Sequence, residues 1–201
     1  MDLTEGSEAW REWRRSGIGS SDAATILGEN PFKTADGLFL EKLQPTQQVE
    51  RNFARMQGKA LEPFARAEYC IQTGIHFEPA CLQNLERTWL RASLDGISAD
   101  GDRLVEIKCG ASAYRRAAAA HRPSRHHMGQ LQHALAVTGL PVIDIWYYFP
   151  PHDPVRLEVR RNDTYIERLL FAEEAFWMRL IDAQARHPVR TPLPAIERTH
   201  G

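Results

Sequence analysis

Leu94-Asp95-Gly96-Ile97-Ser98-Ala99-Asp100-Gly101-Asp102-Arg103-Leu104-Val105-Glu106-Ile107-Lys108 reads as two short strands joined by a tight turn. Asp-Gly between strand-like runs is a strong hairpin signal, because a two-residue type I′ loop needs positive φ at both central positions. With Asp100-Gly101 as that loop, Ala99 pairs with Asp102 and Ser98 with Arg103. Further out, Asp95 then faces Glu106 and Ser93 faces Lys108. Residues two apart share a face of a strand, so Asp95, Glu106 and Lys108 project to one side, the facing Cβ atoms about 5 Å apart. Val105 and Ile107 project to the other side, toward the interior, which makes the strand part of a packed sheet and any site on it rigid.

Two facing carboxylates repel unless a cation, a shared proton or a basic side chain neutralises them. Hard oxygen ligands of this kind suit Mg²⁺, with Mn²⁺ as a substitute, and Lys108 is then placed to hold or deprotonate an attacking water. A third carboxylate, Glu62 in Gly58-Lys59-Ala60-Leu61-Glu62-Pro63-Phe64, lies on the preceding helix and is a candidate to complete the metal shell. A lone D…ExK spacing is a weak signal, and an ordinary surface hairpin with an ion-paired lysine accounts for most of its occurrences.

Outward from the hairpin, helices are expected at about 8–15, 22–27, 33–43, 52–73, 124–137 and 164–186. Ser20, Ser21 or Asp22 is the expected cap of the second, and Gly28 its stop. Strands are expected at about 75–84, 88–98, 103–109, 142–149 and 155–159. Helix, strands, helix, strands, helix is the order of a mixed α/β domain. Residues 1–201 are read as one domain, with 187–201, which holds Pro188, Pro192 and Pro194, as an extended tail.

The 201 residues are 43% hydrophobic, 25% charged and 9% aromatic, which excludes a fibrous or disordered chain. No run approaches the roughly 20 apolar residues of a membrane span, and the first residues have neither a basic nor an apolar leader pattern, so a cytoplasmic protein is expected. Three cysteines, Cys70, Cys81 and Cys109, form no CxxC spacing and cannot supply the four ligands of an iron-sulfur cluster. The formal net charge is -1, but Cys109 to Ile143 contains no Asp or Glu while holding Arg115, Arg116, Arg122, Arg125, His121, His126, His127 and His133. That stretch is the candidate surface for phosphate contacts.

Taken in order, these pieces resemble a known family. Trp10-x-x-x-Arg14-x-x-Gly17-Ile18-Gly19-x-Ser21-Asp22-Ala23-Ala24-x-Ile26-Leu27-Gly28, Gly58-x-x-x-Glu62, Ser93-x-Asp95-Gly96, Glu106-Ile107-Lys108-Cys109 and Gln130-x-Gln132 look like the lambda-exonuclease or YqaJ-type viral recombinase nucleases of the PD-(D/E)xK superfamily. The resemblance spans residues 10 to about 150 and implies an α/β, restriction-endonuclease-like core with a central mixed β-sheet flanked by helices. It implies that Asp95, Glu106 and the Ile107 carbonyl bind Mg²⁺, that Lys108 positions or activates water, and that Gln130 and Glu62 support the site. It further implies a 5′-phosphate pocket at Arg14 and Ser21. An arginine fork beside a helix N-terminus is a sound anion site, and Ser93, placed by the hairpin beside Lys108, is a candidate donor to the same phosphate.

Arg115, Arg116, Arg122 and Gln132 are the expected DNA contacts. The chain departs from the family's pattern after Cys109, where Gly110-Ala111-Ser112-Ala113-Tyr114 replaces a proline and a nearby basic residue, leaving open which arginine makes that contact. The implied activity is a Mg²⁺-dependent 5′-to-3′ exonuclease on double-stranded DNA ends that releases mononucleotides and leaves a 3′ single strand for phage-type recombination. A ring-shaped homotrimer and a single-strand annealing protein as partner are implied with it, in a bacterial host cell and of phage or prophage origin. An endonuclease or single-strand nuclease of the same superfamily is the alternative, and a DNA-binding module without catalysis is a third reading.

Overall fold

A computed structural model describes residues 3–44 and 53–186; the expected tail at 187–201 lies outside the described residues. In chain order the elements are α1 (Glu8–Arg15), β1 (Ile18–Gly19), α2 (Ser20–Ile26), α3 (Ala35–Leu43), α4 (Phe53–Thr73), β2 (Phe77–Gln83), β3 (Leu90–Ser98), β4 (Leu104–Cys109), α5 (Ala111–Ala120), α6 (Arg125–Thr138), β5 (Val142–Tyr148), β6 (Val155–Arg160) and α7 (Asp163–Arg186). Among the described residues no helix is long and apolar enough to cross a membrane.

The six strands form one mixed sheet, in which β3 is the hub. One edge of β3 is taken by β2, antiparallel from Phe77↔Ser98 to Gln83↔Arg91. Its other edge is shared end to end: β1 pairs in parallel at Leu90 and Arg91, and β4 pairs antiparallel at Gly96 and Ile97. β5 runs parallel to β4, and β6 closes the sheet antiparallel to β5.

Apolar side chains on the two faces decide which helices cover them. Val105, Ile107, Phe77 and Trp146 are buried against Ala65 and Tyr69 of α4. Ala92, Leu94, Leu104, Ile143, Ile145, Tyr147 and Val159 are buried against Ala117 of α5, Leu131, Ala134 and Leu135 of α6 and Ile166 of α7. A smaller cluster joins Ile18, Leu38 and Phe39 to Phe176 and Leu180, which docks α3 on α7. Gly129 lets α6 cross α2 closely: a Cβ there would lie 2.8 Å from the Ala24 amide nitrogen.

The hairpin register is as read from the sequence, but the turn is not type I′. Among the described residues His121 alone combines a side chain with positive φ, so Asp100 does not, and only Gly101 (φ 72) does. The Gly101 amide donates to the Ser98 carbonyl, and the Ser98 hydroxyl accepts the amides of Asp102 and Arg103, so a serine-anchored turn replaces the expected one. The cap of α2 also differs. Gly19 is its N-cap, and Asp22 reaches back to accept the Gly19 amide at 3.1 Å. Neither β1 nor α5 was expected. β1 has two residues, too few for any alternation, and α5 is mostly alanine, whose small side chains mark no apolar stripe.

Candidate active site

Because β1 and β4 share one edge of β3 without meeting, the edge between Leu90-Arg91 and Gly96-Ile97 has no strand partner among the described residues. Gly96 sits where β4 departs. A Cβ there would come within 2.7 Å of Val105 Cγ1 and 3.1 Å of Phe77 Cβ, so the tight pairing at this point requires glycine. A cavity of about 470 Å³ opens into the gap, lined by Ser93 and Asp95 of β3, by Glu106 to Cys109 of β4, and by residues of α1, α2, α4 and α6.

Past Gly96 the Asp95 side chain takes over from the backbone ladder: its Oδ2 accepts the Ile107 amide at 2.7 Å. Glu106 projects from the same face toward α6, where Gln130 Nε2 donates to its Oε1 at 2.6 Å. Lys108 Nζ donates to the same oxygen at 2.5 Å. This places Asp95, Glu106, Lys108 and Gln130 together, as the sequence led us to expect. It also shows the site face of β4 covered by α6, and Glu106 is buried. Burial, then the Glu106 carboxylate, raises the pKa of Asp95 well above the ordinary carboxyl range. Burial alone would lower that of Lys108, but Glu106, Asp95 and Glu62 outweigh it and hold the ammonium above its usual value.

Glu62 reaches the cavity from α4 and accepts from Arg66 Nη2 at 3.2 Å, one helical turn on. Burial first, then Asp95 and Glu5, push its pKa up to about 7. Cys109 lines the same wall, its thiol raised to about 12 chiefly by burial and then by Glu62 and Asp95.

At the other end of the cavity Arg14 Nη2 donates to Ser21 Oγ at 2.5 Å. The guanidinium lies 4.9 Å over the Trp10 ring, and the Trp10 indole donates to Ser93 Oγ at 3.2 Å. Ser20 Oγ is buried on this wall without a hydrogen-bond partner among the described residues. Arg14, Ser21 and Ser93 therefore share one cavity with the carboxylates. Behind them lies a residue that sequence reasoning missed, Lys42 of α3. Its ammonium is buried, 2.9 Å from Asp22 Oδ2, and donates to the Gly17 carbonyl at 2.8 Å. Burial would raise the Asp22 pKa, but Lys42 and then Arg14 outweigh it and hold it low. The Gly17-Ile18-Gly19 stretch is thus fastened from beneath.

Among the described residues no group of three or more His, Cys, Asp or Glu side chains converges as a metal cage. Two carboxylates crowded at one point, one of them drawn toward protonation, nonetheless fit a hard cation that keeps several waters and takes one or two protein carboxylates.

Residues 9–141 match the YqaJ-like viral recombinase domain. The chain belongs to this family. It is similar to the uncharacterized protein YqaJ of Bacillus subtilis (strain 168), 29% identical over 184 residues that make up 87% of this chain and 58% of that relative, so it spans less than two thirds of the relative's length. The fold is similar to the crystal structure of an alkaline exonuclease, LHK-Exo, from Laribacter hongkongensis (TM-score 0.77, 24% identity, 90% of this chain and 96% of that one). The complex of LHK-Exo with dAMP superposes with a TM-score of 0.78 over the same shares and at the same identity. A phage related exonuclease from Haemophilus somnus 129PT is more distant, with a TM-score of 0.60 and 13% identity over 83% of this chain and 95% of that one.

Not every expected residue of the YqaJ-like domain reaches the cavity. Gln132, expected as a DNA contact, is instead turned inward: it is buried, donates to the Arg160 carbonyl at 2.8 Å and accepts the Asn162 amide at 2.9 Å, tying α6 to the β6–α7 corner. Two histidines of the acid-free stretch are also internal. His127 meets the Tyr147 hydroxyl at 3.0 Å, and His133 lies between Glu173 Oε1 at 2.7 Å and the Arg91 carbonyl at 2.9 Å. Arg115 and Arg116 are exposed on α5. Arg122 is exposed as well, but borders a separate cavity of about 420 Å³ with Arg160 and Tyr165.

Proposed function

We propose that this YqaJ-like domain is a Mg²⁺-dependent deoxyribonuclease that degrades one strand of duplex DNA from its 5′ end. The observation that carries this reading is that a carboxylate and lysine centre and an arginine and serine pocket occupy one cavity. Such a pocket suits a terminal phosphate, whereas an enzyme cutting inside a strand meets no terminus.

Asp95, Glu106 and the Ile107 carbonyl would hold the cation, with Mn²⁺ able to substitute, and when bound it supplies Lewis-acid activation of water and charge neutralisation. Lys108, already an ammonium, orients the attacking water and stabilises charge on the scissile phosphate. Gln130 fixes the Glu106 carboxylate, and Glu62, with its pKa near neutrality, is suited to proton exchange with water. In the reaction a water oxygen bonds to phosphorus and the P–O3′ bond breaks. The products are a 5′-mononucleotide and a strand shortened by one, again ending in a 5′-phosphate that Arg14, Ser21 and Ser93 can receive. Arg115 and Arg116 are placed to meet backbone phosphates. The 3′ single strand left behind is the substrate for an annealing partner in recombination, and closure of the protein into a homotrimeric ring around the duplex belongs to the same reading.

The test is a linear duplex labelled at one 5′-phosphate and internally on the other strand, incubated with Mg²⁺ or EDTA. Labelled mononucleotide released only with metal, and lost in Asp95→Ala, is the expected result. Cuts within circular DNA would establish an endonuclease instead, and binding without cleavage a DNA-binding module.

A further inference from the structure

Phe32 is 75% exposed, yet its backbone is clamped. After α2, Gly28 turns the chain back, and the amides of Glu29 and Asn30 both donate to the Ala24 carbonyl. The Asn30 side chain donates to Thr25 and accepts the Phe32 amide at 2.9 Å. The Glu29 carboxylate is held by the Tyr165 hydroxyl at 2.6 Å and by Arg168 at 2.9 Å. A rigid loop therefore displays an aromatic ring to solvent.

That ring is the outer end of a series. Phe32 meets His126 edge-on at 5.7 Å, His126 meets His127 at 4.2 Å, and His127 meets Tyr147 of the sheet at 5.7 Å. His126 lies one helical turn before Gln130 on the same face of α6, where such neighbours stand about 5–6 Å apart, and Gln130 holds Glu106. Burial, then the charges of Arg116 and Lys108, lower the pKa of His126 and keep its ring neutral. Exposed Phe32 and half-buried His126 thus lie one turn of α6 away from the residue that holds Glu106, with the charges of Arg116 and Lys108 close enough to act on the His126 ring.

We infer that Phe32, backed by His126, is a stacking platform for a nucleobase of the DNA strand at the mouth of the site. The inference rests on the nuclease reading and adds a base contact to a set that otherwise touches only phosphates. Every base presents a π-face, so the contact tolerates any sequence, as an enzyme working along a strand requires.

The test places 2-aminopurine at each of the terminal three positions of either strand in a short duplex and measures binding and fluorescence with Ca²⁺ in place of Mg²⁺. The unaltered protein is expected to change the emission at one position. Phe32→Ala is expected to abolish that change and weaken binding roughly 5- to 100-fold, with the melting temperature unchanged because the side chain is exposed. Phe32→Trp is expected to restore both, and Phe32→Leu, which keeps apolar bulk without a ring, to behave as Phe32→Ala does. Unaltered affinity and emission in Phe32→Ala, or full activity of Phe32→Leu in both readouts, would overturn the platform while leaving the nuclease reading intact. Failure of the unaltered protein to bind the duplex would overturn both.

Discussion

At Lys108 the surrounding carboxylates of Glu106, Asp95 and Glu62 outweigh the effect of burial, so on the proposed mechanism the residue acts as a cation rather than as a free base. Lys108→Ala is expected to lower kcat by about 10²- to 10⁴-fold while duplex affinity, read by anisotropy in EDTA, stays within a few-fold. Gln130→Glu sets a second negative charge against the Glu106 oxygen that Lys108 also uses, and a larger loss of kcat than in Gln130→Ala is expected from steady-state rates. Lys42 makes a different kind of prediction. Lys42→Met leaves Asp22 charged, buried and without its cation, which costs about 3–5 kcal/mol. Adding Asp22→Leu is expected to recover most of that stability in denaturant titrations without recovering DNA-end binding. Asp95, Glu106 and Lys108 were legible in the sequence because strand alternation fixes which side chains share a face, and the register survived a change of turn type. Lys42 was not legible, since nothing local distinguishes it from a solvated helix lysine; its partners, the Arg14 and Gly17 carbonyls and the Asp22 carboxylate, lie in a distant part of the chain.

On α6 the sequence showed a helix with an apolar stripe and mistook its polar residues for surface. Gln132, His127 and His133 are polar groups satisfied inside, and their partners Asn162, Tyr147 and Glu173 come from segments that spacing along α6 does not reveal. The two histidines pull stability in opposite directions with pH. His133 has a raised pKa, because Glu173 outweighs the effect of burial. Its contribution is therefore fully present below the unfolded value of about 6.5 and fades as pH rises through the folded value. His127 is held down to about 2, chiefly by burial and then by Lys108. The unfolded chain thus takes up its proton below about 6.5, and acid favours unfolding there. His133→Gln is expected to lower the melting temperature more at pH 6 than at pH 9, and His127→Phe to flatten the acid limb of the same profile. Gly129→Ala, which drives a methyl onto the Ala24 backbone, is expected to cost about 1–3 kcal/mol. Because α2 carries Ser21 and α6 carries Gln130, the same change is expected to raise KM for DNA ends.

Across the whole molecule the charge is nearly balanced, yet the exposed arginines of α5 belong to the stretch from Cys109 to Ile143 that contains no Asp or Glu. Arg116→Glu is expected to weaken duplex binding and to reduce the slope of log K against log salt by about one phosphate's share, roughly 0.9. Arg122→Glu, beside the second cavity, is expected to change the slope less. The sheet and its flanking helices were legible from composition and periodicity, whereas the gap on β3 was not, because it depends on a two-residue strand joining the sheet from far along the chain.

α7 contributes none of the groups in the active-site cavity, yet three of its residues reach the elements that frame it. Glu173 meets His133 of α6, Arg168 holds Glu29 beside the Phe32 loop, and Phe176 is buried in one cluster with Ile18 of β1. The match to the YqaJ-like domain ends at residue 141, before β5, β6 and α7 begin. The matched stretch therefore leaves out both the strand that pairs with β4 and the helix that braces α6 through His133. Expressed by itself it would hold all the reactive groups while lacking the scaffold that brings them into register.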